Sequence, residues 1–254
     1  ASRDHRLRVM LPTDVKTDYA YADGPFDILK RRIQWQQTGE NMESHHPFKP
    51  MLNFVSLTDG NSGISFLGKG LNEYEVVDDA RRTLAVTLLR TTRHYMAANR
   101  GLFTPEEYAR HSGQHCLGDI EYEYAVYMHG GDLSKANVFN VSQDYKVEQR
   151  ILQGVPKAGQ MPASGSFINI APSEHVHVSA LYKAEDNKRY ILRIWNSGTE
   201  PVNARIGSAI GFRSVKKISM DQENVLEELV CNKGTWSVSL RQSEIATLAI
   251  EIQQ

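Results

Sequence analysis

Apolar and polar residues alternate with a period of two along most of this chain. The apolar positions are rich in β-branched and aromatic residues, which is typical of strands with one buried face. The segments that follow this pattern are 5–12, 51–59, 71–78, 83–90, 119–129, 176–184, 189–196, 203–207, 235–241 and 245–253. The pattern predicts an all-β chain of antiparallel sheets.

Turn-forming residues separate the predicted strands. Clusters of Asn, Asp, Gly and Ser lie at 58–63, 184–188, 196–201 and 231–234. The cluster at 184–188 stands between two alternating runs, so we expect a β-hairpin there. Residues 154–165 are rich in Gly, Pro, Ala and Ser, which is typical of a linker or a long crossover. The sequence therefore predicts a large lobe over 1–153 and a smaller sandwich over 166–254.

Two stretches depart from the strand pattern. In one long loop, Thr104 suits a helix N-cap, Pro105 the first helical position and Glu107 the reciprocal capping partner. Residues 132–153 carry apolar side chains at mixed spacing, and a short helix is predicted from Asp144 onward. We therefore expect one or two short helices, both in loops between strands.

Composition narrows the classes of partner. The chain has 254 residues and a formal net charge of −1. A charge so close to zero creates no overall field for nucleic acid or an anionic membrane, so we expect neither as a partner. No apolar run approaches the ~20 residues of a membrane span. Cys116 and Cys231 stand far apart, and we expect two buried free thiols in a reducing, cytoplasmic compartment.

Most motifs that could carry chemistry are better explained by structure. His175 and His177 share one face of a strand, but no third metal ligand follows, so we expect a solvated edge strand. His115 and Cys116 are neighbours, and neighbours on an extended chain face opposite ways, which argues against a catalytic pair. Adjacent carboxylates such as those at 78–79 indicate solvated turns.

A group of basic residues at the end of one strand is the exception. Within eleven residues the chain places Arg90, Arg93, His94 and Arg100, and Gly101 follows directly. Arginine offers planar, bidentate hydrogen bonds to hydroxyls, carboxylates or phosphates, and glycine lets a ligand approach the backbone closely. We interpret these residues as candidate substrate ligands. The alternative is a solvated loop whose arginine stems cover apolar surface.

Six segments in chain order carry a resemblance to a known family. They are HRLRVMLPTDVKT, YAYADGPFDILKR, NFVSLTDGNSGISFLGKGLNEYEVVDD, TLAVTLLRTTRHY, CLGDIEYEYAVYMHGGD and SFINIAPSEHVHVSALYKAEDNKRYILRIWNSGTEPV. Together they resemble the C-terminal β portion of family 38 glycoside hydrolases, the α-mannosidases. Bacterial members, including those acting on mannosylglycerate, look more similar than lysosomal or Golgi members. The resemblance implies a large antiparallel β-sandwich, the galactose-mutarotase-like super-sandwich, followed by a smaller β-sandwich.

The same resemblance implies where the chemistry lies. The family is retaining, and its zinc ion, aspartate nucleophile and acid/base belong to an N-terminal catalytic domain. Nothing in this chain matches those motifs, so we expect no catalytic residue, metal ligand or cofactor here. The expected partners are that catalytic domain and a mannoside substrate. Because the chain lacks an initiator Met, it looks like a piece of a longer enzyme. Without the catalytic motifs, we expect this piece to be inactive alone.

The resemblance also singles out one pair within the basic group. The sequence NRGL at 99–102 is similar to an Arg-Gly pair that the family's β portion offers to the active site. This implies that Arg100 and Gly101 contact the sugar. Arg90, Arg93 and His94 are then second choices.

Two other functions stay open at this point. An autonomous carbohydrate-binding module would need an exposed aromatic platform. Trp195 and Trp236 lie in alternating strands and are expected in the core, which leaves Trp35 as the candidate platform. The third interpretation is a structural domain that forms homo-oligomers.

Overall fold

The computed structural model describes residues 5–34, 46–91, 116–155, 159, 163–209 and 211–252. The chain divides into two compact units. The first comprises Ala1–Gly24 and Leu29–Val147, and the second comprises Pro25–Ile28 and Glu148–Gln254.

The strands up to residue 147 form two antiparallel sheets, ordered β1-β8-β7-β4 and β3-β2-β5-β6-β9. The elements are β1 (Arg6–Leu11), β2 (Tyr19–Gly24), β3 (Asp27–Arg32), β4 (Lys49–Pro50), β5 (Phe54–Thr58), β6 (Ser62–Gly68), β7 (Glu73–Val76), β8 (Leu84–Arg90), β9 (Tyr124–Gly130) and the helix α1 (Val138–Lys146). Alternate residues of both sheets meet in one core that includes Val55, Phe66, Tyr74 and Val86. The period of two in the sequence thus becomes a sandwich.

The remaining strands form two further antiparallel sheets, ordered β10-β13-β16 and β11-β12-β17-β14-β15. The elements are β10 (Ile168–Ala171), β11 (Val176–Lys183), β12 (Arg189–Asn196), β13 (Val202–Ser208), β14 (Phe212–Ile218), β15 (Val225–Leu229), β16 (Thr235–Leu240) and β17 (Ile245–Ile252). Their core contains Leu192, Ile206, Trp236 and Leu248.

The prediction of an all-β, sandwich-like chain is confirmed. The predicted strand 189–196 is β12 residue for residue. The hairpin predicted at 184–188 joins β11 to β12, and there the Asp186 carboxylate accepts hydrogen bonds from the backbone N–H groups of Lys188 and Arg189. The predicted strand 119–129 begins later than expected, at Tyr124.

Helix α1 corrects one prediction. It begins at Val138 rather than at Asp144. Asn137 precedes it with φ 51°, a left-handed conformation that Asn tolerates better than most residues. Val138 and Ser142, one turn apart, are the buried residues of the helix. The mixed spacing of apolar residues in the sequence hid this short buried face. The helix predicted at Thr104 lies outside the described residues.

A polar group crosses the sheet between β5, β6 and β9. Ser56 and Ser65 are fully buried register partners, and their hydroxyl oxygens lie 2.8 Å apart. His129 Nε2 lies 3.1 Å from Ser65 Oγ. Burial lowers the pKa of His129, so its ring is neutral at neutral pH. The ring lies across Gly63, its register partner on β6, where no side chain would fit.

We expect Gly63→Ala to lower the free energy of unfolding by about 1–3 kcal/mol, because overpacking a filled site forces neighbours to move. A Cβ at this position would overlap the His129 ring and lie 2.9 Å from the Leu57 carbonyl oxygen, which belongs to the β5–β6 ladder. Gly130→Ala is the matched control, because its Cβ meets nothing nearer than 3.8 Å. Urea denaturation of both variants measures the difference, and equal stabilities would contradict this packing.

Candidate functional site

Arg90 is the predicted substrate ligand that the structure describes. The other residues proposed for that role lie outside the described residues: Arg93, His94, Arg100 and Gly101.

A β-bulge decides which way Arg90 points. In the β1–β8 pair, Arg8 lies opposite Thr87 but Leu7 lies opposite Leu89, so β8 carries one extra residue. An extra residue reverses the alternation of faces beyond it. Arg90 therefore shares a face with Thr87, although three positions along a regular strand would put the two on opposite faces.

On that face Arg90 joins a compact charged group, the Glu73 anchor, which consists of Arg6, Phe48, Glu73, Thr87 and Arg90. The Glu73 carboxylate accepts hydrogen bonds from Thr87 Oγ1 at 2.7 Å and from Arg90 Nη1 at 3.1 Å. Arg6 Nε lies 3.5 Å from the same carboxylate. The guanidinium carbons of Arg6 and Arg90 lie 4.5 and 5.1 Å from the centroid of the Phe48 ring.

The Glu73 anchor fixes the end of β8, after which the chain continues into the basic segment, residues 90–101 of the sequence. An exposed ion pair alone contributes little, but one carboxylate shared by two arginines over one aromatic ring restrains all of them together. The Arg90 side chain is still 52% exposed, and a guanidinium carries five N–H donors. The arrangement can therefore hold the backbone in place and also offer hydrogen bonds to an oxygen ligand.

Asp23 is a buried carboxyl group that is linked to α1 through Asn53. It lies on β2, is 2% exposed and accepts a hydrogen bond from the Asn53 side-chain amide. The amide oxygen of Asn53 accepts in turn from Lys146 Nζ at 2.7 Å, in the last turn of α1. Loss of hydration raises the pKa of Asp23 to about 6, despite the hydrogen bond from Asn53. This chain of contacts ties the helix to the sheet.

A polar cleft of about 540 Å³ lies between residues 15–18 and 78–82. Its carboxylates are occupied by neighbouring groups. Arg82 pairs with Asp78 and, at 3.4 Å, with Asp18. Asp79 accepts hydrogen bonds from the backbone N–H and the hydroxyl of Thr83. These contacts join two loops, and we assign the cleft a structural role.

His177 corrects a second prediction. β11 is an edge strand, as expected, yet His177 is only 3% exposed. Its Nε2 lies 2.8 Å from Ser197 Oγ, and its ring lies 5.1 Å from that of Trp195. Burial lowers the pKa of His177 to about 4, so the ring is neutral at pH 7. An edge strand exposes its backbone, but one of its faces can still be covered.

The structure places the other singled-out residues as follows. Cys116 and Cys231 are free, as predicted, but both are exposed, which overturns the expectation that they are buried. Trp195 and Trp236 are buried, as predicted, and Trp35 lies outside the described residues.

The described ranges contain no group of three or more His, Cys, Asp or Glu side chains that could hold a metal ion. No helix in this part of the chain is long and apolar enough to span a bilayer.

Comparison with known proteins adds a family. Residues 2–96 match a family model described as "Glycosyl hydrolases family 38 C-terminal domain". Residues 175–248 match one described as "Glycosyl hydrolases family 38 C-terminal beta sandwich domain". A protein of Halalkalibacterium halodurans, named "Putative mannosylglycerate hydrolase", is 30% identical over 257 residues, which cover 98% of this chain and 26% of that protein.

Two solved structures share the fold. An alpha-mannosidase from Enterococcus faecalis V583 gives a TM-score of 0.73 at 23% identity, over 98% of this chain and 26% of that one. A glycosyl hydrolase family 38 protein from Enterococcus faecalis gives 0.72 at 21% identity, over 98% and 27%. The chain thus spans about a quarter of the length of these relatives.

The raised pKa of Asp23 predicts a pH dependence of stability. Between the usual pKa of 3.8 and about 6, the folded state holds the proton more tightly than the unfolded state does. The Asp23 contribution is therefore full below pH 3.8 and is lost as the pH rises through 6. We expect the unfolding free energy of the wild type, relative to that of Asp23→Asn, to fall between pH 4 and 6 and to level off above 7.

Denaturant titrations across this pH range measure that difference. Asp59→Asn is the control of opposite sign, because backbone N–H groups of Ser62 and Asn61 lower the pKa of Asp59, whose contribution is lost as the pH falls. A flat difference for Asp23 across the range would show that its carboxyl is not desolvated.

Proposed function

Because this chain belongs to the C-terminal β portion of glycoside hydrolase family 38, we propose that it is the non-catalytic β part of a retaining α-mannosidase-type enzyme. In this proposal an N-terminal catalytic domain of the same enzyme supplies the zinc ion, the nucleophile and the acid/base. The described residues do not fit a zinc site, so the ion is assigned to that domain. This chain supports the catalytic domain and completes its pocket.

The observation that carries the proposal is an apolar row on β9, defined by Tyr124, Val126 and Met128. β9 is the last strand of its sheet, and the three side chains are 40, 42 and 78% exposed. A sheet edge that presents unpaired backbone groups and apolar side chains invites association. In this proposal the catalytic domain covers the β9 row. That domain would lie in the three quarters of the relatives' length that this chain does not span.

The substrate follows from the relatives. Their names favour an α-mannoside, and that of the curated relative favours mannosylglycerate. We propose that Arg100 and Gly101 reach the sugar in the catalytic domain, where a carboxylate nucleophile would provide an anionic surrounding. The Glu73 anchor supports this proposal because it fixes the strand end, at Arg90, from which the basic segment starts.

Met128→Lys tests the assignment of the β9 row. Met128 is largely exposed in this chain, so the substitution should leave the unfolding free energy of the isolated chain within about 0.5 kcal/mol of the wild type. In the full-length enzyme the lysine would be buried against the catalytic domain without a partner. We expect a lower melting temperature and lower turnover there.

Leu226→Lys is the matched control, because Leu226 is 61% exposed on β15, at an edge of another sheet. If Met128→Lys left the full-length enzyme unchanged, the β9 row would not be the covered face.

Arg100→Ala tests the proposed contact with the sugar. Loss of a charge-assisted hydrogen bond that tightens in the transition state should lower kcat/KM of the full-length enzyme on aryl α-mannosides about tenfold or more. Arg150→Ala, which removes an exposed arginine elsewhere, should leave the kinetics unchanged. Unchanged kinetics for Arg100→Ala would eliminate the contact and leave the proposed family role of the chain intact.

A further inference from the structure

A cavity of about 390 Å³ opens in the second unit, between the start of β14 and the turn that joins β15 to β16. Two cations, Arg213 and Lys233, line it together with Cys231 and Ser208, and the described residues that line it include no carboxylate. This volume lies in the range of cavities that hold small ligands.

Arg213 sits at a break in its strand. In the β14–β17 pair, Phe212 lies opposite Ile252 and Ser214 lies opposite Glu251, so Arg213 is an extra residue. Bulges of this kind redirect a side chain. The preceding Phe212 packs edge-on against Trp236, with ring centroids 4.9 Å apart. This contact fixes the backbone from which the Arg213 side chain extends.

Lys233 sits on a tight turn that is also fixed. Lys233 and Gly234 have φ of 47° and 79°, and the backbone groups of Asn232 and Thr235 bond to each other across them at 2.8 and 2.9 Å. The Gly234 carbonyl also accepts a hydrogen bond from Ser208 N at 2.9 Å. A lysine in the left-handed region is less favourable in free energy than Asn or Gly would be. A binding role for the Lys233 ammonium group would explain why lysine occupies this position.

Neither Arg213 nor Lys233 forms an ion pair with any residue that the structure describes. On the same strand β14, Lys216 pairs with Glu228 at 3.4 Å and Lys217 pairs with Glu244 at 2.8 Å. Although Cys231 is exposed, partial loss of hydration raises the pKa of its thiol, so the thiol stays neutral at pH 7 and adds no competing negative charge.

We propose that this cavity binds a small oxyanion, a phosphate or carboxylate group that is either free or carried by a sugar. The guanidinium of Arg213 would bind two oxygens side by side, and the ammonium of Lys233 would add a point charge from the turn. The site is independent of the proposed role of the β9 row, since it lies in the other unit.

Cys231 provides a local reporter of occupancy. Cys116→Ser leaves it as the only thiol of the chain. The rate of its reaction with uncharged N-ethylmaleimide should fall saturably with inorganic phosphate, with half-protection at a concentration on the order of millimolar. Mannose 6-phosphate should protect at the same or lower concentration, and mannose should not. Sodium chloride at equal ionic strength controls for screening.

Two variants separate binding from unfolding. Arg213→Gln and Lys233→Asn should each raise the half-protecting phosphate concentration about tenfold. Asn suits the left-handed turn, so Lys233→Asn keeps the fold. Lys183→Gln is the matched control. Lys183 ends β11, which forms the edge of the sheet opposite to β15, so this substitution should leave the half-protecting phosphate concentration unchanged. Equal protection by chloride or by mannose, or unchanged protection in both variants, would overturn the proposal.

Discussion

Each sheet in this chain buries one face against another sheet, but no sheet can cover its own edge. The two apolar cores, one with Phe66 and Tyr74 and the other with Leu192 and Trp236, satisfy the faces. The β9 row lies on an edge strand that the described residues do not cover. Its Met128 is more exposed than most methionines of folded proteins. A partner surface is one physical solution for such an edge, and we propose that the catalytic domain of the longer enzyme provides it.

Local breaks in the strand alternation place the charges that matter. One bulge turns Arg90 toward Glu73 and Phe48, where its charge is shared and its position fixed. Another places Arg213 in the lining of a cavity where we find no carboxylate among the described residues. A bulge thus gives an ion-paired arginine in the first unit and, in the second, an arginine without an ion pair to any residue that the structure describes. Regular strands form the sheets, and the bulges determine which way the neighbouring charged side chains point.

Much of the fold could be predicted from alternation alone. β12 was predicted to its ends, because turn-forming residues bound its apolar run on both sides, at 184–188 and 196–201. β14 and β15 were not among the predicted segments, since a bulge interrupts the first and most residues of the second are exposed. The start of α1 was missed because its buried face consists of only two residues.

The candidate sites were harder to predict for the same physical reason. The leucines at 88 and 89 make the β8 pattern apolar on both faces, so the sequence cannot show which one is the bulge or where Arg90 points. The burial of His177 and the exposure of Cys231 depend on what covers each face, and alternation along one strand does not contain that information. The ordered segments that resemble family 38 were more informative than any single motif, and the family models confirm them.

The central claim is that this chain holds no catalytic centre and completes one that lies in the rest of a longer polypeptide. Hydrolysis of an aryl α-mannoside by that remainder, expressed without this chain and then mixed with it as a separate polypeptide, tests the claim most directly. We expect neither part to hydrolyse the substrate alone and the mixture to recover activity. Hydrolysis by this chain alone, or full activity of the remainder without it, would contradict the account.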